Sequence, residues 1–464
     1  MSAIQYLFYK TVRNRTYNRL FRRFRQMKLL RLSITCLLLG SMGASISAQG
    51  QPATDRPNFL IVYGEGSGWV STSVQMEEGN PQSKSEFIET PNLERLAANG
   101  VTFSRGYALS PRCTPSRAGL YTGKSPGLLH MTYVTASGLE GRNPGDNLKL
   151  IPPAPVTELP VEETTYAEIL KQSGYATAHF GKWHLGRVDP TEHGFDESDG
   201  PNANDSPSGR DFNQAEYAIT ADKGIDFMRR QVAAGRPFLL EVDHYPIMNN
   251  RNVQEEMMAE RLDMDANFGR MYDALEELGV ADNTYVIFTT DHGTQGQLNA
   301  PLNNGKGSLL EGGIRVPFII GGPSVRAGEW SGEPVTALDI LPTIADLSGN
   351  ASIVKEDVEG GSLVSILRDK EGEVERSREE IVFHFPHYDL SNAGPATALM
   401  LGDYKLVKNY EEDQPQLYNI ALDPGETKDL ASDMPDLVVE LDQKLVAYLE
   451  EIDAQMPRPN PDYY

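Results

Sequence analysis

At 464 residues the chain is long enough to bury a large core and to form two or three domains. It carries 42 Lys and Arg against 65 Asp and Glu, and nine of those cations precede residue 49 with no acid among them, so the remainder is strongly acidic. This excludes nucleic acid and anionic membrane surfaces as general partners, while allowing an anionic substrate in a local cationic pocket.

The chain opens with a basic stretch, then an apolar run, Leu29-Leu30 and Ile34 to Leu39, then small residues ending Ser45-Ile46-Ser47-Ala48. This is the pattern of a secretory signal peptide over residues 27–48, cut near Ala48, with Met27 as its natural start. Residues 1–26 read as an upstream extension or a long basic leader. The uncharged run is shorter than the ~20 residues a spanning helix needs. The expectation is an exported protein, periplasmic or extracellular, with no stable membrane association after processing. Cys36 leaves with the leader, so Cys113 stands alone and no intrachain disulfide can form.

Pro57 begins the folded part. Asn58 to Tyr63 is a continuous apolar run, predicted as a strand buried on both faces and ending at Gly64. Thr90-Pro91 starts a helix that Asn99-Gly100 stops, followed by a strand at Val101–Phe103. Cys113-Thr114-Pro115 reads as a helix start, with Thr114 as cap and Pro115 at the first helical position, and its open N–H groups favour an anion. Further helices are predicted at Thr165–Ser173, Tyr217–Ala234, Gln254–Leu278 and Thr336–Leu347. Strands are predicted at Ala176–Phe180, Phe238–Val242, Tyr285–Thr290 and Val316–Ile320. The alternation implies an α/β fold with a mostly parallel central sheet flanked by helices. After a charged linker, Arg368–Glu380, short strands at Ile381–His384, Ala398–Leu401, Lys405–Asn409 and Gln416–Asn419 and a helix at Asp436–Glu451 predict a small antiparallel α+β unit. The domain expectation is a leader over 1–48, an α/β domain over 49–367 and a C-terminal subdomain over 368–464.

Four polar clusters sit at or just past predicted strand ends, where open α/β sheets hold ligands. Gly64-Glu65-Gly66-Ser67-Gly68 is a glycine-rich turn or a metal or phosphate site. Cys113-Thr114-Pro115-Ser116-Arg117, with Lys124 following, joins a lone thiol to two cations; a buried structural cysteine is the alternative. Gly181-Lys182-Trp183-His184 places a Lys and a His on one side of an extended segment, or forms a solvated loop. Asp291-His292-Gly293, with Lys306 after it, is a candidate metal corner or simply a polar strand end.

In order as well as content these clusters resemble the formylglycine-dependent type I sulfatases of the alkaline phosphatase superfamily. The likeness runs from Pro57 to about Leu430 and includes Thr90-Pro91-Asn92-Leu93 and Gly402-Asp403-Tyr404-Lys405-Leu406. Leu129 to Thr132, Leu150 to Pro153 and Phe383 to Tyr388 look like members that act on sulfated polysaccharides, often in marine bacteria. The resemblance implies that a maturation enzyme oxidises Cys113 to formylglycine. Its hydrate would attack the sulfate sulfur with one hydroxyl and expel sulfate with the other. By resemblance Arg117 and Lys124 would hold the diol, Lys182 and Lys306 would bind sulfate, and His184 would be the base. Calcium would be held by Glu65, residue 113, Asp291 and His292, polarising the sulfate. The implied partner is a sulfated polysaccharide or oligosaccharide.

Two positions depart from the pattern. The family's first strand ends in adjacent Asp ligands, whereas Glu65 and Gly66 stand here, and Gly66 has no side chain to ligate. Met248 stands where the histidine that protonates the leaving alcohol is expected; such acids contribute typically ~10²–10⁴-fold. His244 is a candidate replacement or a plain strand-end residue, and His384 and His387 either reach the substrate or pack in the C-terminal unit. The alternative function is a sulfatase-like glycan-binding protein with impaired or lost catalysis. A phosphatase of the same superfamily, a third reading, would more naturally keep Thr or Ser as nucleophile.

Overall fold

The computed structural model describes residues 56–136, 147–203, 214–245, 253–389 and 394–463. The leader and Met248 lie outside the described residues. Strand β1 (Asn58–Gly64) is the middle of an eight-stranded sheet, and its side chains alternate between two cores. Phe59, Ile61 and Tyr63 pack on one face, and Leu60 and Val62 on the other. That period of two in an unbroken apolar run is what a strand covered on both sides requires.

The remaining strands are β2 (Gly100–Phe103), β3 (Ala176–Gly181), β4 (Glu197–Ser198), β5 (Phe238–Asp243), β6 (Thr284–Thr290), β7 (Ile319–Gly321) and β8 (Glu329–Ser331), in the order β8-β2-β7-β6-β1-β5-β3-β4. Only β7 runs against its neighbours, β2 and β6; every other pairing in this sheet is parallel. β7 begins later than the predicted Val316, because Pro317 has no N–H for a central ladder.

The sheet is flanked by α1 (Pro91–Ala98), α2 (Cys113–Thr122), α3 (Tyr166–Gln172), α4 (Gln214–Ala233), α5 (Val253–Glu277) and α6 (Ile340–Leu347). Helix α3 starts where Thr165 and Glu168 form a reciprocal capping box. Helix α2 begins two residues earlier than its sequence suggests: Arg112 is the N-cap residue, Cys113 is already helical, and Thr114 does not cap. The Thr114 hydroxyl donates instead to the His184 carbonyl, at 2.9 Å, tying the helix to the β3 loop. None of the helices among the described residues is long and apolar enough to cross a membrane.

Strands β9 (Ile381–Phe385), β10 (Ala396–Leu401), β11 (Tyr404–Asn409) and β12 (Gln416–Asn419) form an antiparallel meander covered by α7 (Pro435–Glu451). The charged stretch before it is anchored rather than free: Arg376 pairs with the buried Asp339 at 2.7 Å. Residues Pro52–Tyr464 form one compact unit.

Candidate active site

Register places the polar residues together. Tyr63 faces Asp243 across β1 and β5, Gly64 faces Thr290 across β1 and β6, and Gly181 faces Asp243 across β3 and β5. The residues that follow, Glu65, Lys182 and Asp291-His292, therefore emerge side by side at the carboxyl ends of the strands. Gly181 is fixed by this packing, since a Cβ there would lie 1.8 Å from the Asp243 carbonyl oxygen.

Cys113 meets these residues from the first turn of α2 and is buried. Its Sγ lies 3.3 Å from Glu65 Oε1, 3.2 Å from His292 Nε2 and 3.9 Å from Lys306 Nζ. Burial and Glu65 oppose ionisation, yet Lys182, Lys306 and His292 together draw the thiol well below its ordinary pKa. Lys182, wholly buried, holds Glu65 Oε2 at 2.7 Å. Burial raises the Glu65 pKa, but Lys182, His292 and Lys306 outweigh it and keep the carboxylate ionised.

His184 follows β3 with φ +57°, in the left-handed region. It is held by a backbone hydrogen bond to the Asn202 carbonyl, at 2.8 Å. Burial and the Lys182 charge lower its pKa, leaving a neutral imidazole near the Cys113 sulfur. Its Nδ1 has no hydrogen-bond partner among the described residues.

Arg117 lies one turn along α2 from Cys113, fully buried. It donates to the Lys182 carbonyl at 2.7 Å, pairs with Asp243, and reaches Asp291 Oδ2 at 3.3 Å and Glu65 Oε2 at 3.5 Å. Asp243 is a site residue that sequence reading missed. The signal was present: Glu241 and Asp243 are two carboxylates on one face of an otherwise apolar strand, which demands a buried partner. Burial and the Asp243 charge push the Glu241 pKa well up, so Glu241, bonded to Tyr166, is the protonated member. Asp389, also missed, takes a bidentate grip on Arg112 at 2.6 and 2.7 Å and so braces the residue before Cys113 from the C-terminal meander.

Lys124 is not part of this group. Cys113 opens and Lys124 follows a ten-residue helix, which is about 15 Å long. Its ammonium pairs with Glu163 at 2.5 Å and Asp357 at 2.6 Å. The expectation that it holds the nucleophile is corrected accordingly. His244 is also no substitute acid: it is buried against Tyr217, with ring centroids 5.0 Å apart, and burial lowers its pKa to about 4, so it is uncharged at neutral pH. His384 bonds Thr397 and the Gln455 carbonyl, and His387 bonds Thr132; both are buried packing residues.

Glu65, Cys113, Asp291 and His292 place ligand atoms within 4.8 Å of one another. Calcium takes six to eight oxygens. The two carboxylates suit it; Gly66 contributes none. The Gly66 backbone instead donates to Asp291 Oδ1 at 2.9 Å, and a Cβ at 66 would meet His292 Cε1 at 3.2 Å, so the imidazole fills the space beside Gly66. The set fits a divalent cation whose remaining ligands come from substrate or water.

The sulfatase family model matches residues 57–242 and 250–350. An N-acetylgalactosamine-6-sulfatase of Canis lupus familiaris is 31% identical over 379 residues, covering 71% of this chain and 69% of that protein. A sulfatase of Formosa agariphila is 26% identical over 91% of this chain and 94% of its own length. The crystal structure of PsFucS1 sulfatase from Pseudoalteromonas sp. superposes with a TM-score of 0.68 at 20% identity, covering 86% of this chain and 91% of that one. The chain spans about two thirds of the length of the mammalian relatives.

Proposed function

We propose, for a chain that belongs to the sulfatase family and is therefore a sulfate-ester hydrolase, that it releases sulfate from a sulfated polysaccharide or oligosaccharide through a nucleophile made from Cys113. The observation that supports this most is the convergence of Lys182, Lys306 and His184 on one buried sulfur at a helix start. Formylglycine at position 113 would supply, as its hydrate, one hydroxyl to take the sulfuryl group and a second to expel it. Lys182 and Lys306 face the place where a sulfate oxygen gains charge, and buried cations act strongly there because little water screens them. Neutral His184 accepts the proton of the expelling hydroxyl. Arg117 does not need to touch substrate: clamped by Asp243, it holds the Lys182 carbonyl, Glu65 Oε2 and Asp291 Oδ2 in place.

Glu65, Asp291, His292 and the oxygen at position 113 would hold calcium, which would polarise the sulfate when bound. The relatives named N-acetylgalactosamine-6-sulfatase support a sulfated-sugar substrate. The leader supports export. A second reading, glycan binding with impaired or lost turnover, draws on Gly66 and on Met248, which lies outside the described residues.

The test is the mass of the Cys113 peptide after co-expression with a maturation enzyme, followed by sulfate release from sulfated oligosaccharides with and without chelator. Conversion, chelator-sensitive release and no release by Cys113→Ala are expected. Converted protein that binds sulfated glycan but liberates no sulfate would overturn turnover in favour of the second reading.

A further inference from the structure

With a thiol rather than an aldehyde at position 113, the same corner presents sulfur, nitrogen and two carboxylates. Glu65, Cys113, Asp291 and His292 are all buried. The separations are 3.3 Å from Sγ to Glu65 Oε1, 3.2 Å from Sγ to His292 Nε2, 3.4 Å from Nε2 to Asp291 Oδ1 and 3.6 Å from Nε2 to Glu65 Oε1. A tetrahedral ion with ordinary zinc bond lengths has donor-to-donor edges of about 3.3–3.8 Å. These four edges lie within about 0.1 Å of that range, and all the ligand atoms lie within 4.8 Å of one another.

Its outer contacts are those of a metal site as well. His292 Nδ1 lies 2.9 Å from the Gly293 carbonyl oxygen, which assigns the ring hydrogen to Nδ1 and turns the Nε2 lone pair towards the other three groups. Lys182 holds Glu65 Oε2 and Arg117 reaches Asp291 Oδ2, so each carboxylate keeps its other oxygen facing inward. The Gly66 N–H occupies one lone pair of Asp291 Oδ1 and leaves the second. Lys306, 3.7 Å from Glu65 Oε1, is the opposing charge, but its side chain is 25% exposed and can swing to solvent.

We propose that the unconverted chain binds a zinc-class divalent cation through Glu65, Cys113, Asp291 and His292, releasing the proton that Cys113 Sγ and His292 Nε2 share as the metal takes both as ligands. Thiolate and imidazole select zinc or cobalt over calcium, which takes hard oxygens. Conversion of Cys113 removes the sulfur ligand, so the residue at 113 decides the class of metal the corner takes. That last clause rests on the conversion reading; the zinc site does not.

The experiment uses the full chain made without a maturation enzyme, stripped with chelator, desalted and mixed with zinc(II) or cobalt(II). The expected result is equimolar metal after gel filtration, proton release on binding, little displacement by excess calcium, and a cobalt spectrum with a thiolate charge-transfer band and intense tetrahedral bands. Cys113→Ser should lose the charge-transfer band and weaken retention by about tenfold or more, with circular dichroism reporting an intact fold. A cobalt spectrum unchanged in Cys113→Ser, or retention no greater than in Cys113→Ala, would overturn the site. If zinc is not retained while matched converted protein releases sulfate, the zinc site falls and the catalytic reading stands.

Discussion

Lys182 and Lys405 are both fully buried, and they differ in how completely their charge is answered. Lys405, on β11, is clamped by Glu311 at 2.9 Å and Glu426 at 2.8 Å. Glu311 is itself held by Tyr107 at 2.9 Å and Arg315 at 3.5 Å, so the network closes on itself and fastens the meander to the parallel-sheet body. Lys182 has one carboxylate partner among the described residues, and that partner, Glu65, is shared with Cys113, His292, Lys306 and Arg117. The histidines repeat the contrast. Both nitrogens of His384 are hydrogen-bonded, whereas His184 has an unpartnered Nδ1 among the described residues. A buried polar group that is fully answered stabilises a fold; one left partly unanswered is kept at a cost, and substrate is what would complete it.

The contrast can be broken by exchanging stability for catalysis at either lysine. Lys405→Met would leave Glu426 buried without its cation and Glu311 with Arg315 as its remaining cation, and about 3–5 kcal/mol of stability should be lost. The activity of molecules still folded should not change. Denaturant melts and single-turnover sulfate release on the same preparation check both halves, and a catalytic defect in correctly folded protein would sink the distinction. Lys182→Met should do the reverse. Glu65 keeps Arg117 and Lys306 nearby, so the melt should shift less than for Lys405→Met. Rate on sulfated substrate should fall about 10²–10³-fold, as for loss of one donor to a developing oxyanion.

Protonation sharpens the histidine half. Burial lowers His384 to about 4, below its unfolded value near 6.5, so between those pH values the unfolded chain binds the extra proton. Stability is therefore fully present above about pH 6.5 and is lost as pH falls towards 4, by up to ~3 kcal/mol from this one group. Denaturant melts across that range should show the loss, and His384→Gln should flatten it; an unchanged slope would count against the buried neutral imidazole. For His184, burial and Lys182 lower the pKa, so the acid limb of the rate profile should lie below the ordinary histidine range.

Much of this was legible in the sequence because strand periodicity and helix stops are local. The strand at Asn58, the helix after Thr165 and the meander after Ile381 appear close to where they were expected. The likeness in motif order also brought Glu65, Cys113, Arg117, Lys182, His184, Asp291, His292 and Lys306 to one corner. What escaped is what depends on three-dimensional neighbours. Asp243 is a strand residue whose role appears only when β5 is set beside β1 and β3. Asp389 reaches Arg112 across 277 positions. The Thr114 hydroxyl is claimed by a distant carbonyl instead of its own helix. Lys124 misled for the opposite reason, because proximity in sequence is not proximity in space once a helix lies between.

That last case carries the smallest expected effect and the cleanest control. The Lys124 side chain is only 7% exposed, but its partners are more open, Glu163 at 22% and Asp357 at 53%. Water and salt therefore screen the pair, and replacing the ammonium leaves no charge stranded in the interior. Lys124→Met, which keeps the aliphatic stem, should cost about 1 kcal/mol or less and lose its effect at high salt. Sulfate release and the mass of the Cys113 peptide should match those of the parent. A large fall in rate with an unshifted melt would place Lys124 back with the nucleophile and would mean that the two ends of α2 act together.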